Sequence, residues 1–210
     1  MKLNLAERAL VNNSFRAAVQ RFYEGPLLRN LGGEVNGGTA LEIGCGRGAG
    51  LELILQQFHA AHVTGIDFDS RQIERARNRL QGKYDGAFTL TEADAERLPF
   101  ADESFDAVFD FGALHHVPRW QQAISEIRRV LNPGGTFFFE EVTRAALQRW
   151  IYRKLFEHPA ENRFSEAEFI TEIVNREMKL TSTVRRVLLG DIFIGTAKLS
   201  EKVGPTSTES

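Results

Sequence analysis

A glycine-rich stretch, Glu42 to Gly48, is the feature that most restricts how this chain can fold. It follows a short apolar run, Ala40 to Ile43, with the pattern of a buried strand. It precedes apolar residues at the i, i+3, i+4, i+7 spacing of an amphipathic helix, namely Leu51, Ile54, Leu55 and Phe58. Because glycine has no Cβ, such a turn lets a ligand approach the backbone and the helix N-terminus. The stretch therefore predicts an α/β unit with a ligand crevice at its turn.

Strand and helix patterns continue to alternate along the chain. Further strand patterns cover Val63 to Asp67, Phe88 to Asp94, Phe105 to Phe111 and Phe137 to Phe139. Between them, Asp69 and Gln72 form a plausible capping pair for one helix, and Asn132 to Gly135 would end another that starts near Trp120. Strands separated by helices of this length pair in parallel, because each connection must cross the sheet. At 210 residues, the chain fits one such domain.

The two ends of the chain have different patterns. Residues 6–31 predict an amphipathic helix that is broken near Gly25-Pro26. Near the other end, Ser165 and Glu168 form a capping box for a helix, and two β-rich runs, 184–189 and 192–197, meet at a turn. These runs predict a hairpin, so the sheet should finish antiparallel. The small, polar residues 200–210 are expected to be disordered.

Composition excludes several classes of protein. The formal net charge is −2, so no overall positive field exists to hold a nucleic acid backbone, and we expect no nucleic acid partner. Cys45 is the single cysteine, which excludes an internal disulfide and a cysteine-rich zinc site. No apolar run approaches the roughly 20 residues that a membrane span needs, and no signal peptide is evident, so a cytoplasmic location is expected. Peripheral membrane contact and oligomeric state stay open.

The glycine-rich stretch by itself allows two kinds of ligand. Gly44 to Ala49 satisfies the dinucleotide fingerprint, with Asp67 about 20 residues on, so an NAD(P)-dependent oxidoreductase is one alternative. Three acidic residues favour a charged amino-acid nucleoside instead. Glu42 would repel a pyrophosphate but suit an ammonium group, Asp67 could accept both ribose hydroxyls, and Asp94 could accept an adenine amine.

Taken together, several ordered segments resemble the class I S-adenosylmethionine-dependent methyltransferases, and most closely their small-molecule, ubiquinone/menaquinone-type branch. The segments are Glu42 to Gly48, Gly65-Ile66-Asp67, Asp94 to Phe100, Phe105 to Val108 and Leu131 to Gly135. The resemblance covers residues 40–141 and, more weakly, the final hairpin. It implies a Rossmann-like, seven-stranded, mostly parallel sheet with helices on both faces and a C-terminal antiparallel hairpin. It departs from the family at Arg176 to Lys179, where an Ala-Gly-Phe turn is common.

The resemblance also implies S-adenosyl-L-methionine as cofactor and a set of residues that bind it. Gly44 to Arg47 would embrace its methionine part, Asp67 the ribose and Phe68 one adenine face. The full set of predicted cofactor-binding residues is Glu42, Gly44, Cys45, Gly46, Arg47, Asp67, Phe68, Asp94, Ala95, Phe111 and Gly112. A non-catalytic S-adenosylmethionine-binding protein is a further alternative, and no metal is expected.

Direct transfer from a sulfonium needs alignment of the acceptor more than a covalent catalytic residue. If the small-molecule acceptor is a hydroxyl or a protonated amine, His115 is the preferred base and His116 the second, because both follow strand four at the crevice. Loop or packing roles for the two histidines remain an equal alternative.

Residues 1–199 are expected to form one methyltransferase domain, in which 40–142 are the cofactor-binding core and 165–199 the helix plus hairpin. Residues 1–31 would be a helical lid, with Phe22 and Tyr23 closing the acceptor pocket or packing as ordinary helix residues. Residues 143–164 would set acceptor specificity through four aromatic residues, Trp150, Tyr152, Phe156 and Phe164. Four basic residues there could face an acidic substrate, an anionic membrane or only solvent: Arg144, Arg149, Arg153 and Lys154.

Overall fold

The computed structural model describes residues 14–143, 164–187 and 190–201, and in these a single sheet is flanked by helices. Its strands are β1 (Thr39–Ile43), β2 (His62–Asp67), β3 (Phe88–Glu92), β4 (Phe105–Phe111), β5 (Leu131–Val142), β6 (Met178–Leu180), β7 (Arg185–Val187) and β8 (Ile192–Leu199). The helices are α1 (Ser14–Val19), α2 (Gly25–Gly32), α3 (Ala49–Gln57), α4 (Ser70–Leu80), α5 (Trp120–Val130) and α6 (Glu166–Asn175). None of these helices is long and apolar enough to cross a membrane.

The sheet has the order β3-β2-β1-β4-β5-β8-β6. Strands β1 to β5 pair in parallel, whereas β8 runs antiparallel to β5. The chain leaves β1 toward β2 on one side and later returns to β4 on the other, so the strand order reverses at β1. Open α/β sheets form their ligand crevice at the carboxyl ends of the strands beside such a reversal. The predicted Rossmann-like, mostly parallel sheet is thereby confirmed.

The antiparallel end of the sheet contains one more strand than predicted. The hairpin prediction is confirmed, because β7 pairs with β8 from Arg185↔Ile194 to Val187↔Ile192. In addition, residues Met178–Leu180, where the sequence departs from the family, form β6 and pair with the other half of β8. Strands β6 and β7 thus lie on the same side of β8, each beside a different half of it. The sheet therefore has eight strands in seven positions.

Apolar side chains of alternate strand residues supply a separate core on each face of the sheet. Phe137 and Phe139 belong to the core under α5 and α6, together with Phe169. Phe138, between them, faces the opposite core under α2, α3 and α4, where it stacks on Phe109 with ring centroids 4.4 Å apart. This alternation follows from the two-residue period of a strand, and it explains why three successive phenylalanines are all buried.

The described part of the N-terminal helix differs from the expected break at Gly25-Pro26. A π-helical segment, Gln20–Glu24, joins α1 to α2 without interruption. Pro26 lies in the first turn of α2, where its missing N–H costs little. Gly25 allows α2 to pack closely on α3, because a Cβ at this position would lie 2.8 Å from Gln57 Oε1 on α3. The helical irregularity therefore precedes the glycine and the proline.

Strand β5 begins earlier than predicted. Helix α5 does end at Val130, but β5 starts at Leu131 and includes the segment Asn132 to Gly135. The register of the pairing between β4 and β5 shifts between Phe105 and Ala107. At this point Asn132 Nδ2 donates a hydrogen bond to Asp106 Oδ1 over 2.8 Å. The segment that ends the helix thus also opens the strand.

Two predicted helix caps are present, but one uses a different partner. The Ser165–Glu168 capping box of α6 is confirmed, with both reciprocal hydrogen bonds. Asp69 does cap α4, but its side chain accepts from the Arg71 N–H rather than forming a box with Gln72. Both caps satisfy backbone donors that a helix N-terminus would otherwise leave unpaired.

Ser165→Ala should lower the free energy of unfolding by about 1 kcal/mol, because it removes the acceptor for the Glu168 N–H. Chemical denaturation measures this loss directly. Ser70→Ala is the matched control, since Ser70 is the first residue inside α4, whose cap is Asp69. Equal losses in the two variants would contradict a capping role for Ser165.

Candidate functional site

A cavity of about 510 Å³ opens at the carboxyl ends of β1, β2 and β4, where the strand order reverses. This volume lies within the roughly 300–1,000 Å³ that small-molecule sites occupy. Most of the predicted site residues lie in its wall: Gly44, Gly46, Asp67, Phe68, Asp94, Ala95, Phe111, Gly112 and His116. The remaining predicted residues, Glu42, Cys45, Arg47 and His115, do not line it.

The glycine loop after β1 forms one wall of this cavity. Gly44 has a φ of +66°, and a Cβ at this position would lie 2.4 Å from the Ala113 Cβ after β4. Gly46 donates its N–H to Asp67 Oδ2 over 2.9 Å, which fastens the loop to the end of β2. The loop therefore lies so close to its neighbours that only glycine fits at position 44, while its backbone faces the cavity.

Asp67 is held rigidly at the end of β2 and still reaches the cavity. One carboxylate oxygen accepts the Gly46 N–H, and the other accepts the Asp69 N–H over 2.8 Å. Burial raises the pKa of the Asp67 carboxyl, although these N–H donors oppose the shift. Each carboxylate oxygen has two lone pairs, so both can accept a further hydrogen bond from a ligand.

Glu42 lies beneath the glycine loop rather than in the cavity wall. It is 3% exposed, its Oε1 lies where a Cβ of Gly50 would stand, and its Oε2 has no hydrogen-bond partner among the described residues. Burial, followed by the nearby Asp67 and Asp110 carboxylates, raises the pKa of Glu42 well above its ordinary value. Glu42 thus supplies a buried acidic group directly below the loop.

Neither Cys45 nor Arg47 lines the cavity. The Cys45 side chain is buried in the core beside α3, and burial raises the pKa of its thiol well above the usual range. Its N–H donates to the Ile66 carbonyl over 2.8 Å. Arg47 is exposed. Their predicted cofactor contacts could only come from backbone atoms or from a side chain that moves.

The side of the cavity formed after β2 and β3 is open to solvent. Phe68 is 53% exposed with its ring at the wall, and Asp94 Oδ1 accepts the Glu96 N–H over 2.9 Å. Glu96 in turn binds Arg119, which donates its N–H over 2.8 Å and its Nε over 2.7 Å. Sequence analysis missed this ion pair at the mouth, because its partners lie 23 residues apart and neither follows a strand directly.

The two histidines occupy different positions around a one-turn 3₁₀ helix, Leu114–His116. His116 lines the cavity, whereas His115 lies behind it, with Nδ1 2.7 Å from Glu141 Oε2. Burial raises the pKa of Glu141 to about 7. Glu141 was missed by sequence analysis, although a carboxylate at the end of a buried strand is the signal that identified Glu42 and Asp67.

The expected acceptor-binding segment lies mostly outside the described residues, including Trp150, Tyr152, Phe156 and the four basic residues. Phe164 is described and does not line the cavity. The ring is buried, 4.9 Å from the Trp120 ring and 4.8 Å from the Phe169 ring, and it belongs to the core. Phe22 and Tyr23 are exposed and do not line the cavity, so their lid function stays a prediction.

Comparison with known proteins gives one family match and related enzymes. Residues 41–139 match the methyltransferase domain family. A fatty-acid O-methyltransferase of Mycolicibacterium smegmatis is 36% identical over 110 residues, which are 51% of this chain and 38% of that protein. A sterol 24-C-methyltransferase of Gibberella zeae is 37% identical over 135 residues, which are 62% of this chain and 34% of that protein. The chain therefore spans less than half the length of these curated relatives.

The fold also matches solved structures. An S-adenosylmethionine-dependent methyltransferase from Aquifex aeolicus superposes with a TM-score of 0.74, covering 94% of this chain and 100% of that one. The sequences are 18% identical, so this likeness concerns the fold. The matched family segment, residues 41–139, contains the cavity wall from Ile43 to Arg119.

Proposed function

Because residues 41–139 match the methyltransferase domain family, we propose that this chain transfers a methyl group from S-adenosylmethionine to a small, lipid-like acceptor. The observation that carries the proposal is the cavity at the strand-order reversal, with a glycine loop and the Asp67 carboxylate in its wall. This crevice has the size and polarity of a nucleoside site.

The residues present fit the cofactor. The Glu42 oxygen beneath the glycine loop has no partner among the described residues, so the loop region is acidic and suits a cationic amino acid. Asp67 offers lone pairs to two ribose hydroxyls as charge-assisted hydrogen bonds. An ammonium group would stabilise the ionised form of Glu42, which burial disfavours, whereas a pyrophosphate would gain nothing from it, and this supports S-adenosylmethionine over the oxidoreductase alternative.

Each part of the wall has its own task in this proposal. Phe68 covers one adenine face, and Asp94 with Ala95 meets the adenine edge. The bound cofactor supplies a methyl group on a sulfonium, which is already an excellent leaving group. The chain therefore has to align the acceptor and exclude water, and Phe111 and Gly112 line the path along which the acceptor approaches.

Two observations support a lipid-like acceptor. The relatives above are named for fatty acids and sterols. The wall on the acceptor side of the cavity contains apolar side chains, Val117 and Phe111 among them, which suit an apolar substrate. Peripheral membrane contact would bring such a substrate to the cavity. A cytoplasmic location and the absence of a nucleic acid partner stay predictions from the sequence.

Calorimetry with S-adenosylhomocysteine and with NAD tests the cofactor. We expect S-adenosylhomocysteine to bind at least about 100-fold more tightly, since the acidic crevice disfavours a pyrophosphate. Tight binding of NAD alone would contradict the proposal.

Methyl transfer is tested separately with cofactor labelled in its methyl group and a set of fatty acids, alkylphenols and sterols. Labelled lipid product is expected from at least one class. Binding of S-adenosylhomocysteine without any labelled product would favour the non-catalytic alternative.

A further inference from the structure

One buried carboxylate fixes the position of the His115 ring. Glu141 Oε2 lies 2.7 Å from His115 Nδ1, and Glu141 Oε1 accepts the His115 backbone N–H over 3.1 Å. Glu141 is itself fixed, because it is fully buried and its Oε2 also accepts the Val142 N–H over 3.0 Å. A carboxylate held at both oxygens leaves the imidazole little freedom to turn.

This contact determines which imidazole nitrogen can accept a proton. Above its pKa of about 7, the Glu141 carboxylate is ionised and only accepts hydrogen bonds, so the hydrogen between the two groups then belongs to Nδ1. The second nitrogen, Nε2, then carries a lone pair. The ring carbon between the nitrogens, Cε1, lies 3.7 Å from the point where a Cβ of Gly112 would stand, and Gly112 lines the cavity. Nε2 is bonded to Cε1, so it lies one bond from the ring atom that approaches Gly112 in the cavity wall.

The His115 ring also contacts the second histidine. The two ring centroids are 4.0 Å apart, with the planes tilted by 41°, and His116 lines the cavity. The side chain of His115 is 9% exposed and that of Glu141 is 0% exposed. A carboxylate–imidazole pair shielded from water thus lies directly behind the part of the wall where the acceptor would approach.

We propose that Glu141 is a positioning residue for His115 and that this pair serves an acceptor whose reacting atom is a hydroxyl oxygen. The inference rests on the proposed methyl transfer. The acceptor O–H bond breaks as its proton passes the Gly112 part of the wall to His115 Nε2, and the oxygen forms a bond to the methyl carbon. The C–S bond breaks, its electron pair stays on sulfur, and the resulting imidazolium is stabilised by the Glu141 carboxylate until the proton leaves to solvent.

The chemistry of possible acceptors explains why this pair indicates a hydroxyl. A fatty-acid carboxyl group has a pKa near that of Glu, about 4.3, so it is already ionised at neutral pH and needs no base. A phenol resembles Tyr, with a pKa of about 10, and keeps its proton at neutral pH. A buried carboxylate–histidine pair would contribute nothing to the first reaction and roughly 10²- to 10⁴-fold to the second.

The titration of the pair predicts how the rate depends on pH. Burial raises the pKa of Glu141 to about 7, and burial followed by Glu141 raises the pKa of the neighbouring Asp110 well above its ordinary value. Asp110 and His116 are the other titratable groups described around His115. Below about pH 7 the pair takes up a proton, so His115 Nε2 no longer accepts one. The rate with a phenol should therefore fall on the acid side of about pH 7.

Glu141→Gln in the full chain tests the inference, with Glu140→Gln as the matched control. Glu140 is the preceding residue of β5, is equally buried and faces the other side of the sheet. The probes are para-octylphenol and palmitic acid. For the phenol, we expect Glu141→Gln to lower kcat at least 10-fold and to shift the acid limb of the pH profile to lower pH, because the imidazolium loses the carboxylate that stabilises it. Palmitate transfer and S-adenosylhomocysteine affinity should stay within about twofold. Glu140→Gln should keep the acid limb.

A second measurement does not depend on finding an acceptor. Long-range proton–nitrogen NMR of the His115 ring, assigned with His115→Gln, should show a hydrogen on Nδ1 above about pH 7 in the parent protein and a change of tautomer population in Glu141→Gln. A hydrogen on Nε2 in the parent protein would overturn the inference, as would an unchanged phenol profile in Glu141→Gln. Failure of every acceptor with a correct Nδ1 tautomer would instead contradict the proposed function.

Discussion

Asp67→Asn is expected to weaken S-adenosylhomocysteine binding about 100-fold. The substitution preserves the side-chain volume but removes the charge that would strengthen two hydrogen bonds to ribose hydroxyls. Hydrogen bonds to charged groups contribute roughly 1.5–3 kcal/mol each, so a loss of about 2.8 kcal/mol is reasonable and corresponds to the expected factor. Isothermal titration calorimetry at neutral pH measures it.

Glu92→Gln is the control for Asp67→Asn. Glu92 ends the neighbouring strand β3 directly beside Asp67 in the sheet, but it is exposed and does not line the cavity. The Glu92→Gln substitution removes the same charge and should leave the affinity for S-adenosylhomocysteine within about twofold of the parent value. Equal weakening by both substitutions would show that overall charge, rather than a contact at Asp67, determines binding. Because burial raises the pKa of Asp67, its contribution should also fade as the pH falls through that raised pKa.

Gly44→Ala is expected to lower kcat/KM about 100-fold. Its φ of +66° is strained for alanine, and the new Cβ would lie 2.4 Å from the Ala113 Cβ. Either the glycine loop or the segment after β4 has to move by about 1 Å, and a misplacement of that size in an active site can cost about 10²-fold in rate. Steady-state kinetics with the labelled cofactor measures the loss.

Two further variants separate strain from steric contact at Gly44. Gly37→Ala has a similar positive φ of +85° but open space around the new Cβ, so it should lose about 1–2 kcal/mol of stability without a change in kcat/KM. The double variant Gly44→Ala/Ala113→Gly removes the close contact and should recover part of the activity. If Gly44→Ala behaved like Gly37→Ala, the tight approach of loop and β4 would be irrelevant to function.

Most of the fold could be predicted because its signals are local. The period of apolar residues distinguishes β4 from α5, and glycines mark the turn after β1 whatever surrounds them. The number of edge strands was harder to predict, because β6 and β7 are three residues each and gain their stability from pairing with β8. The early start of β5 depends likewise on its register with β4.

The candidate site was predictable only where residues directly follow strands. Gly44, Asp67 and Asp94 fall in the cavity wall because parallel strands bring their carboxyl ends to one edge of the sheet. The sequence could not show that Phe164 fills the core, nor that Glu96 binds Arg119 across the mouth. Such contacts join residues far apart in the chain, and their side-chain directions depend on packing.

The order of residues by itself determined an α/β sheet with a glycine-walled crevice, since strand and helix periods and glycine turns act over a few neighbouring residues. Only the tertiary structure decided that His116 reaches the cavity while His115 is held behind it by Glu141, 26 residues further along the chain. The physical reason is that the hydrogen bond forms only when β5 packs beside β4, so the chemical state of His115 is a property of the folded sheet.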